Sequence, residues 1–67
     1  MKVFGENMRK AREEKGLTQE QLAEILKTKQ NTISRWENGE REPSLEMVVK
    51  IARSLDCDPN YLLGFDE

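Results

Sequence analysis

Two short amphipathic runs separated by about three residues constrain this chain more than any other feature. The first follows Thr18 and places Leu22, Ala23, Ile25 and Leu26 on its inward face. The second runs from about Gln30 to Asn38 and has Ile33 and Trp36 as its apolar residues. Both carry helical rather than strand periodicity. So short a connection makes the helices cross steeply, and they can approach only where a small side chain sits at the crossing. Ala23 fills that place, and Ile33 with Trp36 forms the apolar pair that docks the second helix on the first. Thr18 with Gln21 three residues later makes a capping box for the first helix. Thr28 is the expected N-cap of the second, and Asn38-Gly39 its stop.

Three further helices are expected around this pair. No strand is expected, because no run of alternating β-branched residues occurs. Phe4, Met8 and Ala11 recur at helical spacing over 4–15, with Gly16 as the left-handed stop. Pro43-Ser44 opens a fourth helix, with Ser44 as N-cap and Leu45, Val48, Ile51, Ala52 and Leu55 turned inward. Asp58-Pro59 starts a short fifth, since proline suits the first helical position. Tyr61, Leu62 and Leu63 fold that turn back onto the core, and Gly64 ends it. A chain of 67 residues makes one domain, 1–67. The predicted class is all-α, five helices, with the second and third forming a helix-turn-helix over about 18–38.

The outward face of the third helix carries the functional signal. On a wheel of about 100° per residue, Ile33 and Trp36 lie together with Glu37 at their edge. Asn31, Ser34, Arg35 and Asn38 fall opposite, flanked by Gln30 and Thr32. That face has no apolar residue and no carboxylate, in a chain with 13 Asp and Glu among 67 residues. An ordinary solvated helix mixes both signs. Gln and Asn pair bidentately with adenine, Arg with guanine, and a Thr methyl meets that of thymine.

Charge at first points the other way, because 11 basic and 13 acidic residues leave a net charge of −2. Yet residues 1–41 hold nine Lys/Arg against seven Asp/Glu, or +2, and residues 42–67 hold two against six, or −4. Local potential decides phosphate contact, and bulk charge sets solubility and non-specific binding, which should be weak. Cys57 is the single cysteine and there is no histidine, so neither a disulfide framework nor a zinc site is expected. Flanked by Asp56 and Asp58, Cys57 is expected as a small core residue. No signal peptide or membrane-length apolar run is visible, which predicts a cytoplasmic protein. Without a histidine, a second thiol or a Gly-rich phosphate loop, no catalytic set assembles, and no cofactor, metal or small-molecule ligand is expected.

The motifs Gly16-Leu17-Thr18-Gln19, Leu22-Ala23, Ile33-x-x-Trp36-Glu37-Asn38-Gly39, Pro43-Ser44-Leu45, Ile51-Ala52-x-x-Leu55 and Leu62-Leu63-Gly64 stand in an order that resembles the lambda and 434 repressor and Cro family, the XRE-type regulators. The likeness covers about residues 6–64. It implies that Gln19 binds a phosphate and buttresses the first recognition-helix residue. It also implies that Gln30, Asn31 and Arg35 read bases, and that Asn38 with the Gly39 amide clamps the DNA backbone. Arg12 and Glu37 match a family pair between helices 1 and 3, with Arg12 also a candidate phosphate contact. Lys29 and Arg41 are further phosphate contacts or plain solubilising charges. Two departures stand out: the family commonly has Gly where this chain has Lys27 and Asp56, positions that call for positive φ.

The expected function is a repressor of transcription that binds palindromic double-stranded operator DNA as a homodimer. Helix 30–38 would read the major groove through Gln30, Asn31, Thr32, Ser34 and Arg35. Activation is open too, through acidic residues near Glu37–Glu42. Tyr61, Leu63 and Phe65 are candidate dimer contacts. The alternative is a protein-interaction module of the same fold, an antitoxin or adaptor, with DNA secondary. A minimal complete regulator and the head of a longer one both suit the sequence.

Overall fold

The computed structural model describes residues 2–65, which form five helices and, among the described residues, no strand. In chain order these are α1 (Lys2–Glu14), α2 (Gln19–Leu26), α3 (Gln30–Glu37), α4 (Leu45–Leu55) and α5 (Pro59–Leu63). Met1, Asp66 and Glu67 of the expected 1–67 domain lie outside the described residues. The all-α class read from periodicity is the one adopted. α1 starts two residues before the expected Phe4, because Val3 lies over Gly64 at the end of α5 and carries the helix past its first core residue.

Every helix contributes at least one fully buried apolar side chain: Phe4 and Met8 from α1, Leu22 from α2, Ile33 from α3, Ile51 from α4 and Leu62 from α5. Each such burial is worth about 1.5–3 kcal/mol, the main force available to so small a core. α1 packs on α3, α4 and α5, while α2 packs on α3 and α4. α1 is also tied to α5 by a hydrogen bond from Asn7 Nδ2 to the Tyr61 carbonyl at 2.8 Å.

The helix starts follow the sequence signals in three of the four observed caps. Thr18 and Gln21 form the reciprocal capping box, Ser44 accepts from the Met47 amide, and Asp58 accepts from the Asn60 amide with Pro59 behind it. α3 departs from expectation. Its N-cap is Lys29, not Thr28, and no side chain caps it. The Thr28 amide instead closes α2 by bonding to the Ala23 carbonyl at 2.9 Å, so Thr28 still belongs to the end of the preceding helix.

Three apolar assignments also need correction. Ile25, expected inward, is 51% exposed, because it lies to one side of the narrow stripe made by Leu22, Ala23 and Leu26. Leu45 is 77% exposed. It occupies the first turn of α4, where side chains lean toward the helix N-terminus and past the end of the helix bundle. Cys57 is half-buried at the rim of the core rather than inside it.

Candidate nucleic-acid interface

α2 packs on α3, and the three residues singled out for their crossing, Ala23, Ile33 and Trp36, are all buried. With these turned inward, Gln30, Asn31, Arg35 and Asn38 are exposed along the opposite face of α3, and Thr32 and Ser34 are half-buried beside them. Lys29 and Arg41, at either end of α3, are exposed as well. The Asn38 amide reaches back to Ser34 Oγ at 3.5 Å, a weak contact.

Behind the N-terminal end of this face runs a continuous set of hydrogen bonds. Gln30 Nε2 donates to Gln19 Oε1 at 2.8 Å, and Gln19 Nε2 donates to Glu37 Oε1 at 3.0 Å. Arg12 Nε donates to Glu37 Oε2 at 2.7 Å, and Arg12 Nη2 to Glu37 Oε1 at 3.1 Å. Arg12 Nη1 donates to the Leu17 carbonyl at 2.7 Å. The ion-paired side chains are 9% and 2% exposed. No buried side-chain nitrogen or oxygen among the described residues lacks a partner. The hydrogen bond to Glu37 raises the Arg12 guanidinium above its ordinary pKa, outweighing the burial that would lower it.

Arg12 is buried and each of its three nitrogens donates within the protein, which gives it the structural role expected of the pair with Glu37. Sequence reasoning missed Gly5. A Cβ built there would lie 2.4 Å from the Glu37 carbonyl oxygen and 2.6 Å from that of Trp36, so α1 passes directly against the end of α3. The available signal was a glycine inside a helical pattern, a choice that costs helix stability unless another backbone comes close. The acid-free face is acid-free only along α3. Glu42, from the following loop, lines a shallow cleft with Thr32, Arg35, Trp36 and Arg41.

With α2 and α3 packed together across a short turn, the chain matches a family model described as helix-turn-helix over residues 8–62. The chain belongs to the helix-turn-helix family. The motifs that resembled the repressor and Cro type lie within the matched segment except for Leu63 and Gly64 just past its end, and this helix-turn-helix class consists of DNA-binding regulators rather than enzymes. The chain is 33% identical over 64 residues to the HTH-type transcriptional regulator ImmR of Bacillus subtilis, covering 96% of this chain and 50% of ImmR. It is 33% identical over 64 residues to repressor protein C2 of Salmonella phage P22, covering 96% of this chain and 30% of C2. Among solved structures, the restriction-modification controller protein C.AhdI from Aeromonas hydrophila superposes with a TM-score of 0.84 at 36% identity, covering 91% of this chain and 92% of that one. The chain spans half or less of the length of ImmR and C2 but nearly all of C.AhdI.

Proposed function

We propose that this helix-turn-helix chain is a sequence-specific transcriptional regulator that binds double-stranded operator DNA with α3 in the major groove. The observation that carries the reading is the exposed face of Gln30, Asn31 and Arg35, held in register by the buried Ala23, Ile33 and Trp36. Gln30, Asn31 and Arg35 read base edges, with Thr32 and Ser34 lining the same face. Lys29, Asn38 and Arg41 contact phosphates, joined by Gln19, whose amide nitrogen keeps a second hydrogen beyond the one given to Glu37.

The size of the molecule supports the reading of a homodimer on a palindromic operator. The molecule's longest extent is 29 Å, and equivalent major-groove faces recur every ~34–36 Å. One copy therefore presents one α3 to one half-site. Phe65, 77% exposed, and the half-buried Tyr61 and Leu63 are the proposed dimer contacts. Repression by blocking polymerase is the preferred mode, and the resemblance to repressor C2 supports it. Such a protein acts in the cytoplasm. No helix among the described residues is long and apolar enough to cross a membrane.

The test is selection of bound duplexes from a random pool, followed by footprinting. Arg35→Ala should relax preference at one base pair and cost ~1–3 kcal/mol, whereas Lys29→Ala should weaken all sequences alike and lower the salt slope by about one. Equal losses on every sequence for both variants would refute the assigned roles.

A further inference from the structure

A glutamine facing DNA can read two patterns, because its amide presents an oxygen and a nitrogen of nearly the same shape. Which end points where must be set by its neighbours. Outward from the core, Arg12 offers only donors and engages both oxygens of Glu37. The carboxylate of this ion pair has no hydrogen, so only the nitrogen end of Gln19 can face it, as it does at 3.0 Å. The Gln19 oxygen then faces outward and can be met only by a donor, which Gln30 Nε2 supplies at 2.8 Å. One hydrogen of Gln30 is thereby engaged. Its oxygen and second N–H are left for DNA.

We infer that Glu37 is a specificity-determining positioning residue: through Gln19 it fixes the polarity of the Gln30 amide and makes Gln30 a reader of adenine. This rests on the proposed base contact by Gln30. The remaining acceptor and donor match the N6 amino group and N7 of adenine, whereas guanine presents two acceptors on that edge. The inference goes beyond the ion pair's part in packing, since any well-fitting pair would hold α1 against α3, but only an acceptor at position 37 dictates the order of the amides. An amide there can reverse the order. Its oxygen would keep the Arg12 Nε bond, and its nitrogen, set toward Gln19, would give up the bond from Arg12 Nη2; Gln19 then turns and presents Gln30 with both hydrogens outward.

The probe is a duplex selected by the wild-type chain from a random pool, together with single A·T to G·C changes at each position. Gln30→Ala locates the base pair that Gln30 reads. At that pair Glu37→Gln should lower the adenine-to-guanine binding ratio at least about fivefold, or reverse it, with the ratio at the pair read by Arg35 unchanged. Gln19→Ala leaves the Arg12–Glu37 pair in place and should relax the same ratio without reversing it, so the inference remains testable if Glu37→Gln folds poorly. Ile51→Val, a core change in α4, should lower thermal stability and leave every ratio unchanged. Uniform loss of affinity in Glu37→Gln, together with an intact ratio in Gln19→Ala, would overturn the inference. If Gln30→Ala itself altered no ratio, the base contact would be wrong, which is a separate outcome.

Discussion

Gly5 lies where α1 crosses the end of α3, and a methyl group added there would fall 2.4 Å from a backbone oxygen. Alanine normally stabilises a helix interior by up to ~1 kcal/mol relative to glycine. Here the sign should invert. Gly5→Ala forces α1 away from Trp36 and Glu37, and the expected loss is ~1–3 kcal/mol, seen as a Tm lowered by several degrees in thermal unfolding. Cys57 offers a second test. Burial first, then Asp58 and Asp56, push its thiol above the ordinary value of ~8.5. The folded value stands above the unfolded one, so this contribution to stability is fully present below the ordinary thiol pKa. It is lost as pH rises through the raised value. Alkylation by iodoacetamide near pH 7 should therefore be slower than for a free cysteine peptide, and should accelerate only in alkaline solution. Faster labelling near neutrality would contradict the assigned environment.

All five helices end by the same device, with paired amides closing on the last carbonyls around one left-handed residue. Gly16, Gly39 and Gly64 fill that position in three of them, but Lys27 at φ 57 and Asp56 at φ 58 fill it in the other two. An L-residue bears ~1–2 kcal/mol of strain there. Lys27→Gly should thus raise the melting temperature by a few degrees. Asp56→Gly should gain less, because aspartate tolerates this region better and Asp56 Oδ2 also meets Lys15 Nζ at 3.1 Å. A lowered melting temperature for Lys27→Gly would mean the turn carries no strain. At this scale the sequence was legible where one residue decides a terminus, as with Thr18, Ser44 and Asp58. It was illegible where two neighbouring elements compete for a backbone group. The Thr28 amide serves the end of α2, so the start of α3 passes to Lys29. Likewise the apolar Leu45 and Ile25 fit the pattern, but exposure depends on whether another helix covers that turn, which periodicity alone does not record.

Across the whole molecule, the parts brought together from distant sequence were the hardest to read. The α2–α3 crossing and its outward face were visible in a stretch of some twenty residues, because Ala23, Ile33 and Trp36 encode a local packing problem. The chain of bonds from Arg12 to Gln30 joins α1, α2 and α3. Only the family resemblance hinted at its two ends, and no spacing rule reveals that Gln19 links them. The same holds for Glu42, which approaches Arg35 only once the loop after α3 folds back. Dimeric operator binding would set one 29 Å molecule on each half-site, with affinity falling steeply as salt rises because phosphate contacts release counterions. The central claim is that α3 enters the major groove and reads bases there, and methylation interference on a selected duplex measures it most directly. The expected result is that methylation at guanine N7, on the major-groove edge, blocks binding within each half-site, and that Arg35→Ala abolishes this sensitivity at one guanine. Interference confined to adenine N3 in the minor groove, or a pattern identical in the wild type and Arg35→Ala, would contradict it.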